Sequence, residues 1–499
     1  MARAAVIAIF LMGLMTRAAA AVISVPGDFP TIQEAIDAAS SGDEIVVAPG
    51  VYTELVDLSS SSGVTLRSSG GAAVTTIEAP AVANPADPAQ GDSTVRLRSG
   101  ATIEGFTITG GIGATDFSGA NSRYGGGVLF VSGGTVRGCV VEGNSAALGG
   151  GAFVLNGSVL IEDSEFSGNT AAVEASQLAS FNGAVSALRS TFSGSASPIR
   201  GAVVVIGRTA SFDACVFESN AGGALFADTT VFPTSGVPAP SVSAVGCFFT
   251  GNGGDVLAAI DAPAGSGQAE LTATRCVIGQ NNGTSIGNTF FSGAVTLSHC
   301  VVTANITSAF CNGCEIRASV IVENELTNET QVSGGSISNT IFRGNTGVGG
   351  APVQVLGFPL YSNIEGGTTD FGSIDADPMF TSLEGPDGVL GTSDDDPSID
   401  AGSPCIDAAD TLDFSPVEVD YFGTVRAIND PLVPNTGTAA FGLHADIGAV
   451  EFVPASTLSA DVTTTGATLF GQPGFGVPDG VVDLDDLGFY LNLWLLGVP

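Results

Sequence analysis

Five residues near the C-terminus have the types and spacing of a calcium loop. Asp479, Gly480, Val481, Asp483 and Asp486 match positions 5, 6, 7, 9 and 12 of an EF-type loop. Calcium takes several oxygen ligands, and here three carboxylates and the Val481 carbonyl would supply them while Gly480 makes the sharp turn. Asp461 becomes the first ligand if the segment from Thr464 to Pro478 is an insertion. The predicted metal set is therefore Asp461, Asp479, Val481, Asp483 and Asp486. Leu487, Tyr490, Leu491 and Trp494 follow at helical spacing, which puts the last acid at the start of an amphipathic helix. The insertion and the Asp at position 12 both depart from the pattern and lower the expected affinity; an acidic, Asp-capped helix is the plainer alternative. Asp387 with Asp394, Asp395 and Asp396 suits either a second cation or a solvated acidic turn. Cys311 and Cys314, in CNGC, suit a small turn disulfide in an oxidising compartment.

Catalytic sets are harder to assemble. The chain has no Lys, so all 14 basic residues are Arg, and it has two His, His299 and His444, both expected to be structural. Glycosidases need paired carboxylates across one groove, and lyases need a base with a cation or Arg to neutralise the uronate. No such set is evident, and no catalytic residue is predicted. Arg137, Arg189, Arg208, Arg275, Arg317 and Arg343 are candidates for an Arg-bearing face toward acidic glycans, or else plain surface residues, which is the reading favoured here.

Positioning elements come from a repeat. A small or thiol residue, any residue, then Val, Ile or Phe, two more residues and Asn recur about every 25 residues. The copies begin Cys139-x-Val141 with Asn144 and Ser164-x-Phe166 with Asn169. They continue through Ser190, Cys215, Cys247, Cys276, Cys300, Ser319 and Thr340. Each copy alternates like a short strand, and no amphipathic helix separates them, so helical solenoids are excluded. A repeat of this length fits one coil of a parallel β-helix, with equivalent residues stacked about 4.8 Å apart. Val, Ile and Phe would form one interior column and Cys, Ser and Thr another, with Asn at a turn in left-handed backbone conformation. Five cysteines fall in the column, which argues for packing and against a disulfide framework.

The ends differ. Arg3, the apolar run from Ala4 to Met15 and the small residues Ala18 to Ala21 read as an export signal over 1–21. No later segment is long and apolar enough to span a bilayer. Thr31 to Ala39 forms an amphipathic helix with Ile32, Ala35, Ile36 and Ala39 on one face and Thr31 as cap. The net charge of −36 disfavours nucleic acid and anionic membrane surfaces.

The stretch GDFPTIQEAIDAASSGDEIVVAPGVYTE, from Gly27 to Glu54, resembles the opening of many pectin-lyase-like β-helix proteins. Gly222 to Ala224 and Phe217 to Asn220 resemble repeats of polymorphic outer-membrane proteins. The resemblance implies fold far more than activity. DADPMF, GSPCIDA and ADIGAVEF, within Asp375 to Phe452, look like the C-terminal end of bacterial secreted β-helix repeat proteins. The tail resembles a dockerin-like module with a single loop, which implies a cohesin-like or cell-envelope partner.

The expectation is thus an all-β, right-handed parallel β-helix solenoid with an N-terminal capping helix and a small C-terminal calcium-loop and helix module. Its parts are a signal peptide (1–21), cap and first coil (22–60), coils (61–374), C-terminal cap (375–453), linker (454–460) and dockerin-like module (461–499). The expected role is a secreted, non-catalytic surface protein that binds glycan or acts as a spacer, tethered by its tail with calcium. The alternative is a divergent lyase or glycoside hydrolase acting on acidic polysaccharide.

Overall fold

A computed structural model describes residues 20–454, apart from 83–91, 116–121, 197–199, 231–236, 262–266, 291–292, 329–330, 333–334, 440–443 and the single positions 357, 368 and 416. The chain enters through a strand, Val22–Val25, and a helix, Ile32–Ala38, which buries Ile32, Ala35 and Ile36 against the first coils. Thr31 caps the helix by accepting from the Glu34 amide at 3.2 Å. Two further first-turn amides, of Ile32 and Gln33, donate to the Glu54 carboxylate at 3.0 and 2.9 Å. The GVYTE segment is therefore a helix brace: Glu54 closes orphan donors, and Tyr52 donates to the Ala48 carbonyl at 2.9 Å.

After the helix, every coil contributes strands to three parallel ladders. One runs in register from Val22–Val25 through Glu44–Val47, Thr65–Ser68 and onward to Ser336–Ser338. A second runs from Val56–Asp57 to Glu325–Leu326. The long strands Ala152–Glu162 and Leu178–Leu188 bend through both and join them as one 22-stranded sheet. The third is a separate 13-stranded sheet from Gly50–Thr53 to Asn363–Ile364. Parallel strands joined by such crossovers wind right-handedly. Thirteen strands at about 4.8 Å make a prism about 60 Å long.

The interior is the predicted set of columns. Val141, Phe217 and Val302 are all fully buried and belong to one in-register line at the middle of the 13-stranded sheet. Within it, the rings of Phe166, Phe192, Phe217 and Phe249 stack face to face at 5.4, 5.3 and 4.7 Å. The small-residue column is also interior, and backbone amides bond along it: Cys139 N to Ser164 Oγ and Ser164 N to Ser190 Oγ, each at 3.2 Å.

The Asn residues behave differently from expectation. The left-handed position falls one residue earlier, at Ser219, Gln280, Ala304 and Glu323, or at Gly143, Gly168, Gly251 and Gly344. A second left-handed residue precedes the small column, at Asp163, Ala214, Arg275 and His299 among others. Each such residue turns the corner so that the next side chain points inward. Asn is thereby buried and forms an amide ladder: Asn220, Asn252, Asn281, Asn305, Asn324 and Asn345 each bond to the next. Ser195 interrupts the ladder, and there Gln177 accepts from Asn169 at 2.6 Å and Ser176 accepts from Ser195 at 2.8 Å.

Residues 375–453 lie along the flank of the last coils. Ile399, Ile406, Ala409, Ile447 and Ala449 pack on Val320, Val322 and Ile341, which point outward from the 13-stranded sheet. The Gln280 side chain reaches the Leu390 carbonyl at 2.9 Å. The outward positions explain the placement. They are mixed in earlier coils (Thr76, Thr107, Val140, Glu165, Thr191, Val216, Phe248) and aliphatic without exception at Val277, Val301, Val320 and Ile341, where the segment lies. Cys311 and Cys314 form a disulfide, and the other six cysteines are buried free thiols.

Candidate functional site

The calcium set Asp461, Asp479, Val481, Asp483 and Asp486 lies outside the described residues. The second acidic cluster is described and closes on itself. The Thr392 hydroxyl donates to Asp394 at 2.6 Å, the Gly391 amide to Asp395 at 2.8 Å and the Asp387 amide to Asp394 at 3.2 Å. Among the described residues no three His, Cys, Asp or Glu side chains converge to hold a metal ion.

Most of the arginines considered for a glycan face are engaged. Arg137 lies between Glu162 and Glu104 at 2.8 and 3.7 Å, and Arg189 bonds Asp163 at 2.7 Å and Glu162 at 3.0 Å. Arg317 bonds Glu418 at 2.5 Å and Arg343 bonds Asp375 at 2.7 Å. Arg208 donates to Asn182 at 2.7 Å. Arg137 and Arg189 thus meet carboxylates of neighbouring coils, and Arg317 and Arg343 meet carboxylates of the segment that follows the coils.

A different arginine is only half engaged. Glu174 ends the strand Thr170–Glu174, and Arg200 follows one coil later in left-handed conformation. Asp228 ends Gly223–Asp228 in the next coil. Gly201 allows the turn, because a Cβ there would come within 2.5 Å of the Phe226 ring. Nη1 of Arg200 bonds Asp228, and also Thr230 Oγ1 at 2.6 Å. Asp228 is fully buried, and its Oδ1 also accepts from the Thr230 amide and hydroxyl at 2.6 Å each. Glu174 is 8% exposed; Oε1 stands 3.7 Å from Arg200 Nε, and Oε2 is buried without a hydrogen-bond partner among the described residues. Burial, then the charge of Asp228, pushes the Glu174 carboxyl up to about 7, against the pull of Arg200. The Arg200 side chain keeps 38% of its surface in solvent.

This arrangement offers a carboxyl that holds its proton near neutral pH beside an accessible guanidinium. The guanidinium is the donor that a carboxylate or another anionic oxygen can reach from solvent. It does not make a hydrolytic pair. A nucleophile or base must face its substrate, and Asp228 is closed off by Arg200 and Thr230. Sequence reasoning missed all three residues because they form no motif. The available signal was periodic: they lie 26 and 28 residues apart, close to one coil each.

Other ionisable groups are structural. Arg426 is fully buried under Phe414, with its guanidinium 4.8 Å from the ring centroid, 3.7 Å from Glu451, and donating to the Asp446 carbonyl at 2.5 Å. The Asp446 and Glu451 carboxylates accept backbone amides of the irregular flank segment, and burial raises both, Asp446 to about 7. His299 is buried beside Ser298 Oγ at 3.0 Å, and burial, with Arg426, Arg317 and Arg275 nearby, holds it neutral with a pKa of about 2. A cavity of about 400 Å³ near Leu55 and Ile112 is mainly apolar, and its one carboxylate, Asp92, is taken by Arg96 at 2.5 Å.

No family model and no curated protein matches the chain. Among solved structures it is similar to the A-module of mannuronan C-5 epimerase AlgE4 from Azotobacter vinelandii. The two are 14% identical, with 67% of this chain and 94% of that one covered and a TM-score of 0.40. Pectate lyase Pel9A is 15% identical, covering 86% of this chain and 96% of that one, with a TM-score of 0.40. The capsular polysaccharide depolymerase tailspike gp49 of Acinetobacter baumannii bacteriophage Fri1 is 13% identical, covering 67% and 62%, with a TM-score of 0.37. The β-helix itself is read from this chain's own strand registers.

Proposed function

We propose that this chain is an exported, non-catalytic β-helix that binds acidic polysaccharide at Glu174 and Arg200. In this reading the C-terminal segment, with calcium at Asp461, Asp479, Val481, Asp483 and Asp486, tethers it to a cohesin-like or cell-envelope partner. One observation carries the binding site: the Arg200 guanidinium is open to solvent beside Glu174, whose buried Oε2 has no hydrogen-bond partner among the described residues. The closure of Asp228 supports binding over turnover. The raised Glu174 carboxyl favours a second reading, a divergent lyase or hydrolase with Glu174 as general acid.

Calorimetric titration with polygalacturonate and alginate tests both. Binding should weaken at least tenfold in Arg200→Ala and stay unchanged in Arg189→Ala, whose arginine is already paired. Failure of the intact protein to bind either polymer removes the proposal. Release of sugar or unsaturated uronate, lost in Glu174→Gln, establishes the second reading instead.

A further inference from the structure

Four cysteines follow one another in the small-residue column without interruption: Cys215, Cys247, Cys276 and Cys300. The strands beside them are in register, with Val216 opposite Phe248, Phe248 opposite Val277 and Val277 opposite Val301. Backbone amides lock each coil to the next at the same level: Phe248 N to Cys215 O at 2.9 Å, Val277 N to Cys247 O at 3.0 Å and Val301 N to Cys276 O at 2.9 Å. All four residues are at most 2% exposed. Their side chains follow one another along the column, one per coil. Their other partners are carbonyl oxygens at 3.3–3.5 Å, weak acceptors for a thiol.

Two kinds of chemistry join stacked sulfurs, and their lengths discriminate. A disulfide needs sulfurs about 2.05 Å apart and Cβ atoms about 3.5–4.5 Å apart. The ladder holds equivalent residues about 4.8 Å apart, a spacing a disulfide accepts between Cα atoms, but side chains stacked in parallel keep their Cβ atoms at that same spacing, so closure would turn both out of the column. A metal–thiolate bond is about 2.3 Å, so an ion held linearly by two sulfurs spans about 4.6 Å. That matches the rise with almost no movement, and thiolates select soft ions such as copper(I).

We propose that the column formed by Cys215, Cys247, Cys276 and Cys300 binds soft monovalent cations, each held linearly between the sulfurs of successive coils. Each participating thiol gives its proton to solvent and becomes a thiolate, with no change of oxidation state. Two ions fill the column, one between Cys215 and Cys247 and one between Cys276 and Cys300, because a thiolate shared by two ions is bent at sulfur and could not hold both along the axis; the filled column carries two net negative charges. The ions enter as the coils stack, since the finished column is closed to solvent.

Silver(I) is the probe, because it binds thiolates without oxidising them. The full chain, carrying Cys311→Ser and Cys314→Ser to remove the disulfide pair, is refolded with silver(I) and passed through a thiol-competitor column. Native mass spectrometry should count two retained ions. Cys247→Ser splits the column and should leave one, between Cys276 and Cys300, whereas Cys139→Ser should change nothing because Cys139 is followed by Ser164. Ser already occupies this column at Ser164, Ser190 and Ser319, so the variants are expected to fold, which circular dichroism checks. A folded chain that retains no silver, or a count unmoved by Cys247→Ser, overturns the proposal. So does an intercoil disulfide between any of the four after refolding in oxidised glutathione, mapped on non-reduced peptides.

Discussion

The buried amide ladder gives the sharpest test of how the coils are held. In Asn281→Ala five hydrogen bonds disappear. Asn281 Oδ1 accepts from the Asn252 amide and side chain at 2.9 and 3.0 Å. Its Nδ2 donates to Phe249 O at 2.9 Å, Gly279 O at 3.1 Å and Asn305 Oδ1 at 2.8 Å. Asn252 can still use its side chain on Phe217 O, but its backbone N–H is left buried without an acceptor. A buried orphan costs about 1–3 kcal/mol and each lost bond about 1, with incomplete additivity, so the expected loss is ~3–4 kcal/mol. Asn182→Ala is the control. It removes partly exposed bonds to Asn156 and Arg208, which water replaces, and should cost less than ~1 kcal/mol. Guanidinium unfolding measures the difference, and hydrogen exchange at the Asn252 amide locates it, since coils can open locally. Equal destabilisation by the two variants, or an Asn281→Ala loss below ~1 kcal/mol, would refute the view that the ladder clamps the coils.

Five further outcomes are expected. Phe217→Ala removes the centre of the ring stack and should cost ~3–5 kcal/mol by chemical denaturation. Ala304 holds φ of 55°, so Ala304→Gly should raise stability by up to ~1 kcal/mol in the same assay. Gly246→Ala, at φ 58° with space for a Cβ, should lower it by ~1 kcal/mol through backbone strain alone. Glu174 binds its proton more tightly folded than unfolded, so its contribution is complete below pH 4.5 and is lost as pH rises through about 7. The ceiling is ~3 kcal/mol, and stability measured against pH should flatten over that window in Glu174→Gln. Calorimetry on the full chain should show calcium binding that Asp479→Ala weakens, and no heat at millimolar calcium removes the tail assignment.

The repeat was legible because a solenoid makes sequence period and spatial neighbourhood the same thing. Cys139, Val141 and Asn144 recur at one interval, and nothing but stacking places nine such sets in common columns. The capping helix was legible for a similar reason, since its apolar face and Thr31 are local features. Glu54 as its second brace was not, because that bond spans 21 and 22 residues. The role of Asn was misread at the level of one residue: a left-handed neighbour turns the chain, and whether Asn or its predecessor does so depends on which side chain the core can accept.

The candidate site required three dimensions. Glu174, Arg200 and Asp228 belong to successive coils, and a guanidinium chooses between carboxylates by reach and burial, which composition does not encode. The flank segment is intermediate. Val277, Val301, Val320 and Ile341 stand at outward positions under the segment, but Val140, Val216 and Phe248 hold the same position half-buried in earlier coils, so residue type alone does not announce the covered face. The sequence alone determined the coil, its columns and its thiols, because short-range alternation and a fixed repeat dictate them. Tertiary structure decided which charges cancel and which carboxyl is left buried without a partner, because electrostatic pairing depends on distance and solvent access between segments far apart in the chain.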